Sequence, residues 1–126
     1  MNEFHIQPFA KHHLKQTFDC GEPSLNDFLK KYARQNDARG LGKTFVAVLP
    51  NEVEVLAFYT ISTASLSFEV LPEKLPRYPI PTAHLGRLAV DKRMQGRGLG
   101  EILLIDALEK TMLIADQIGI YAIELF

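Results

Sequence analysis

Cysteine is almost missing from this chain of 126 residues: Cys20 stands alone, so no intrachain disulfide can form. A reducing cytoplasm is the compartment that this implies. No apolar run approaches the ~18 residues that a membrane span requires. The N-terminus lacks the basic-then-apolar pattern of a secretion signal. A net charge of −1 gives no bulk attraction for a polyanion. His5, His12, His13 and His84 have neither metal-ligand spacing nor cysteine pairs to join, so no metal site is expected. Repeats, linkers and low-complexity tracts are lacking too. What is left is one domain, residues 1–126, with 47% apolar and 23% charged residues, an ordinary balance for a single core.

The charges are unevenly placed. Between Glu73 and Arg97 stand six basic residues (Lys74, Arg77, Arg87, Lys92, Arg93, Arg97) and two acidic ones, whereas the remainder carries eight basic and thirteen acidic. Positive charge thus surrounds the stretch LGRLAVDKRMQGRGLG, residues 85–100. There an apolar strand end, Leu88-Ala89-Val90, gives way to a basic turn. Gly96, Gly98 and Gly100 alternate, and a helix pattern begins at Glu101. Glycines let the backbone come close to a ligand. The first N–H groups of a helix have no partner inside it and, with the helix dipole, attract anions. Arg97 adds a forked donor suited to phosphate oxygens. The stretch reads as a pyrophosphate cradle. It is not a Walker loop, because no Lys-Ser/Thr follows the glycines. Nor is it the dinucleotide fingerprint, because position 101 is Glu rather than Gly.

Around it the pattern predicts alternating elements. Residues 3–9 read as a first strand stopped by Pro8, and 11–17 as a short polar helix or turn. After Gly21-Glu22-Pro23, Ser24 is expected to cap a helix running to about Gln35, with Leu25, Phe28, Leu29 and Tyr32 as its apolar stripe. Lys30, Lys31 and Arg34 share another side of it, either as a solvated face or as a contact for an acidic partner. Strands are expected over 43–49, 53–67, 82–90 and 120–126, and the apolar content of the second predicts a central position. Residues 71–81 hold Pro72, Pro76, Pro79 and Pro81 and read as an irregular binding loop. In the helix 101–118, Leu103, Leu104, Ala107, Leu108, Ile114, Ala115 and Ile118 share one arc, to pack on a sheet. Glu101, Asp106, Glu109, Lys110, Asp116 and Gln117 take the opposite half. Ile102, Ile105 and Leu113 sit among the charges, which suggests cover from another chain.

Gln95-Gly96-Arg97-Gly98-Leu99-Gly100 reads as Q/R-x-x-G-x-G/A and closely resembles the acetyl-CoA signature of the GNAT N-acetyltransferase superfamily. The element order is similar to the core of that fold through its fifth strand. The resemblance implies an α+β (α/β three-layer) architecture, a mixed, mostly antiparallel sheet flanked by helices, here without the last helix and two strands. Within the superfamily the chain resembles the toxin branch of type II toxin–antitoxin systems whose antitoxins are ribbon-helix-helix proteins. Phe18-Asp-Cys-Gly21 with Leu25 and Phe28-Leu29, Lys43-Thr-Phe-Val46, Leu85-Gly-Arg-Leu-Ala-Val-Asp91, the cradle itself and Ala115-Asp-Gln-Ile-Gly119 carry that likeness.

By resemblance, the activity is acetyl-CoA-dependent acetylation of the amino group on aminoacyl-tRNA, which blocks translation. Leu88, Ala89 and Val90 would bind the pantetheine arm, and Gln95, Gly96, Arg97, Gly98, Leu99 and Gly100 the pyrophosphate. Lys30, Lys31, Arg34, Lys92 and Arg93 would contact tRNA phosphates. A ribbon-helix-helix antitoxin would be a partner, and an open edge on the fifth strand invites a homodimer. The family's usual general acid is a Tyr in an Ala-x-x-Phe-Tyr-x-x-x-Gly-Phe segment beyond the fifth strand. The sequence ends at Phe126, before any such segment, so the catalytic residues stay unassigned. Tyr59 and Tyr121 are candidate acids or plain core aromatics, and Glu69 and His84 are candidate bases that the sequence does not separate. Two other readings stand beside the toxin: acetylation of a small-molecule or protein amine, and a fragment that binds acetyl-CoA or antitoxin without turnover.

Overall fold

A five-stranded sheet with helices on both faces organises the computed structural model, which describes residues 4–66, 80–120 and 122–125. Its strands are β1 (His5–Pro8), β2 (Lys43–Val48), β3 (Ala57–Leu66), β4 (Ile80–Val90) and β5 (Ala122–Leu125), adjacent in that order. The first four pair antiparallel. β5 runs parallel to β4, because helix α3 (Leu99–Ile118) carries the chain back across the sheet between them. β3 is the middle strand, and residues 55–60 are buried throughout, as their apolar run predicts. Strand alternation sorts two cores. Val46, Val48, Phe58 and Ala89 meet Phe18, Phe28 and Leu29 on one face. Ala47, Ala57, Tyr59 and Leu85 meet Leu99, Leu103 and Ala107 of α3 on the other.

Several expectations change. The first helix is α1 (Pro23–Asp27), a π-helical turn (Phe28–Tyr32) and α2 (Ala33–Ala38) in succession. Its N-cap is Glu22, with no side chain capping it, so Ser24 lies inside the first turn rather than at the cap. Pro23, with its fixed φ, starts the helix instead. The wider π turn shifts the phase of the stripe. Ala33 is buried while Tyr32, expected to face inward, is 51% exposed. Of the short helix or turn expected over residues 11–17, the turn is what forms, and Leu14 bridges to Glu54. β3 begins at Ala57, not Val53. β4 begins at Ile80, so Pro81 belongs to a strand start, where a missing N–H is tolerated. The rest of the expected proline loop, with Glu69, and also Tyr121, lie outside the described residues.

Helix α3 starts two residues earlier than its pattern suggests, and its apolar arc is only half realised. Leu103 and Ala107 are buried, but Ile114 and Ile118 are exposed, because the last turns overhang a groove lined by Ile61, Ala83 and Ile120. Asp106, expected on the outer side, is half-buried and accepts the Tyr59 hydroxyl. Gly119, in the left-handed region, ends the helix as expected. No helix among the described residues is long and apolar enough to cross a membrane.

Candidate functional site

The site begins with an irregularity in β4. Arg87 stands opposite Thr60 and Leu85 opposite Ile61, so Gly86 is an extra residue on that strand, a β-bulge. Bulges bend a strand and increase its twist. Among the described residues, β5 accompanies β4 over Thr82–Leu85. Beyond the bulge, along residues 86–90, the β4 edge away from β3 has no strand partner among the described residues. The Asp91 N–H donates to Leu56 O at 2.8 Å. Alternation along an antiparallel ladder then turns the N–H and C=O of Leu88 and Val90 into the open edge, while those of Ala89 face β3. On the α3 side, a Cβ at Gly100 would sit 3.8 Å from both the Leu88 and the Val90 side chains, so the helix start lies against the same two residues.

Between β4 and α3 the chain makes a 3-10 turn (Lys92–Met94) and the glycine run. Gly98 is the N-cap of α3 with φ 80° and ψ 6°, a left-handed conformation that only glycine adopts without steric cost. No atom of the described residues lies within 4 Å of a Cβ built at Gly96 or Gly98, so the space over both is open among them. Among the described residues no side chain caps the helix, which leaves its first amides uncapped beside the exposed Arg97. Glu101 in the first turn is exposed.

The segment around Asp19 braces this turn. Asp91, 2% exposed, accepts the Asp19 N–H at 3.1 Å, the Arg93 N–H at 2.9 Å and the Arg93 guanidinium at 2.8 and 3.0 Å. Burial alone would push its carboxyl pKa up. The bonds from Arg93 and the two backbone N–H groups outweigh that and hold it below the usual value. The Lys92 N–H donates to Asp19 O at 2.8 Å, and Gln95 Nε2 donates to both Cys20 O (3.0 Å) and Val90 O (2.9 Å). Asp19 itself accepts from the Gly21 N–H and the Asn26 amide, which lowers its pKa. The Phe18-Asp-Cys-Gly21 run is therefore a strut under the cradle. Asp19, exposed, and Asp91, buried, stand 72 positions apart, so nothing in the sequence marked them as partners.

The nine residues expected at the cofactor fall together at the end of β4 and the start of α3. The five cations divide. Arg93 is tied to Asp91 and to Glu54 (3.1 Å), and Lys92 lies 3.5 Å from Asp19. Lys31 is 3.7 Å from Asp27, while Lys30 and Arg34 make no ion pair among the described residues. Tyr59 is fully buried under α3 and donates to Asp106 at 2.5 Å; burial and that carboxylate raise its phenol pKa strongly. It stacks on Phe45 at 5.2 Å, which makes it a core aromatic. His84 lies half-buried beside Gly86. The bulge and the Gln95 clamp had no signal in the sequence, because both depend on pairing between distant segments.

No protein-family model matches the chain. It is 40% identical over 110 residues to a tRNA-acetylating toxin of Mycobacterium tuberculosis, covering 85% of this chain and 65% of that protein. It is 33% identical over 121 residues to the probable toxin TacT of Sinorhizobium fredii, covering 91% and 67%. The chain thus spans about two thirds of the length of these curated relatives. Among solved structures, a variant of KacT superposes with TM-score 0.88 at 30% identity, over 98% of this chain and 78% of that one. AtaT in complex with acetyl-methionyl-tRNAfMet gives 0.87 at 27% identity, over 97% and 76%. AtaTR bound with acetyl-CoA gives 0.89 at 28%, over 99% and 77%. AtaT has also been solved with the C-terminus of the antitoxin AtaR.

Proposed function

The chain belongs to the GNAT acetyltransferase toxins of toxin–antitoxin systems, and from that premise we propose that it transfers the acetyl group of acetyl-CoA to the amino group of an aminoacyl-tRNA. One observation supports this most: the start of α3 at Gly98, uncapped among the described residues, adjoins a β4 edge that no described strand covers along residues 86–90. The first amides of α3, with Gly96, Arg97 and Gly98, would hold the diphosphate of the cofactor. Leu88 and Val90 would pair with the amides of the pantetheine arm as a strand pairs with an edge. Ala89 keeps the spacing between them. From Val90 back to Gly86 is about 13 Å at ~3.3 Å per residue. An arm laid along that edge would bring its thioester to the bulge.

The chemistry then asks for position and a few donors. A neutral amine attacks the thioester carbon, a negative charge grows on the carbonyl oxygen, and the sulfur leaves with the electron pair of the C–S bond. Fixed backbone donors stabilise that oxygen, and alignment of the two reactants lowers the barrier further. Lys30, Lys31 and Arg34 on the first helix, with Lys92 and Arg93 at the cradle, would contact the tRNA backbone. The pairing of Arg93 with Asp91 makes it the weakest of the five for that role. The acceptor and the cofactor put the reaction in the cytoplasm, and a ribbon-helix-helix antitoxin would be the partner that silences it.

Incubation of this chain with labelled acetyl-CoA and a pool of charged tRNA tests the reading. The expected product is acetyl-aminoacyl-tRNA, with tRNA binding that weakens steeply as salt rises. Transfer to free amines with none to charged tRNA would move the activity to small acceptors. Acetyl-CoA binding with no transfer to any amine would end the enzymatic reading.

A further inference from the structure

We infer that the recess behind the β4 bulge receives the acceptor amine and that His84 takes its proton; this rests on the acetyl-transfer reading above and deepens it. The recess lies on the helix α2 side of the sheet, opposite α3. Phe28, Asn36, Thr44, Thr60, His84 and Arg87 line it, and Gly86 forms part of its wall. It therefore adjoins the bulge where the thioester would end, but from the other face of the strand. The two reactants could then approach one carbon from opposite sides.

His84 is the one titratable group there with a free ring. Among the described residues it makes no hydrogen bond or ion pair. His13, by contrast, is bonded at both nitrogens, to Ala10 N–H and to Gln7. A Cβ at position 86 would lie 3.2 Å from His84 Cδ2 and 3.3 Å from Nε2. The imidazole thus lies across the bulge, and a glycine is what lets it do so. Imidazole is the side chain suited to exchanging a proton near neutral pH.

The surroundings agree with that task. The Arg87 guanidinium stacks 3.7 Å over the Phe28 ring at the mouth of the recess. Its charge disfavours an ammonium beside it and favours the free amine. Thr60 and Ser62 of β3, Thr44 of β2 and Asn36 of α2 face the recess as uncharged groups. Glu124 of β5 is the register partner of His84.

The ammonium of the acceptor gives one proton to a ring nitrogen of His84. The amine so freed forms the N–C bond to the acetyl carbon, the C–S bond breaks, and the sulfur leaves as the thiolate of CoA. The second proton lost from nitrogen goes to that thiolate. The imidazolium returns its proton to water.

The test compares this chain with His84→Gln. Acetyl-CoA affinity, measured by calorimetry, should be unchanged in the variant. Its acetylation rate on charged tRNA should fall about 100-fold at mildly acidic pH, the scale of a positioned base. The rate should recover at alkaline pH, where the acceptor amine is already neutral. Gly86→Ala, which crowds the ring, should show the same pattern more weakly. A second measurement needs no turnover. With CoA present, a non-hydrolysable aminoacyl-amido-adenosine should shift the imidazole resonances of His84 in an NMR titration. An unaltered pH–rate profile in His84→Gln, or imidazole signals that ignore the amine ligand, would overturn the assignment. If the wild-type chain acetylates no charged tRNA while His84 still responds to a simple amine, the tRNA reading fails and the amine site stands.

Discussion

The side-chain amide of Gln95 donates to the main-chain carbonyl of Cys20 at 3.0 Å, joining residues 75 positions apart. The same nitrogen holds Val90 O, one of the groups that faces the open edge of β4. Gln95 thus fastens the Asp19–Gly21 strut to the cradle while its main chain continues into the glycine run. Gln95→Ala removes both bonds, worth about 0.5–1.5 kcal/mol each and less where exposed. Calorimetry should show acetyl-CoA affinity reduced several-fold with a small loss of stability. An affinity equal to wild type would mean that the strut does not set the cradle.

Tyr59 and Asp106 tie the middle of α3 to β3, and Lys110 reaches the same carboxylate while its ammonium lies 4.6 Å over the Phe45 ring. Tyr59→Phe keeps the ring and loses one bond of a half-buried carboxylate that retains Lys110. Denaturant unfolding should show a cost of about 1–2 kcal/mol. Acetylation per folded molecule should not change. A large drop in rate at unchanged stability would restore Tyr59 as the acid.

His13 gives a pH dependence unrelated to catalysis. Burial, then the nearby His12, lower its pKa, and the Ala10 N–H into Nδ1 assigns its proton to Nε2, which donates to Gln7. The unfolded chain, with an ordinary imidazole near 6.5, therefore binds a proton more readily than the folded one. The stability from the neutral ring is full above that value and is lost as pH falls below it. Unfolding free energy should be lower at pH 5.5 than at pH 7.5, and His13→Gln should flatten the difference. An equal slope in the variant would place the acid sensitivity elsewhere.

Gly98 sets the first turn of α3 at the cradle. Gly98→Glu forces an L side chain to a φ of 80° and sets a carboxylate at the helix start. Acetyl-CoA binding should be lost in a protein that still melts cooperatively. Retained affinity would count against the cradle.

Much of this was legible from local chemistry. The glycine run, the helix after it, and the central place of β3 each follow from a few neighbouring residues. The limits of that reading were equally physical. The π turn moved Tyr32 outward because periodicity assumes 3.6 residues per turn. Pro81 entered β4 because a strand start tolerates proline. Asp106 turned inward because a buried hydroxyl at Tyr59, on another element, needed an acceptor. The bulge at Gly86 and the Asp19–Asp91 strut are pairings between distant segments, which no window of sequence contains.

The most direct test of the central claim is a backbone amide NMR titration of this chain with acetyl-CoA. The largest shifts should fall on Gly96, Gly98, Leu99 and Gly100 and on Leu88 and Val90. Shifts confined to the groove near Ile114 and Ile118, or none at saturating nucleotide, would contradict it.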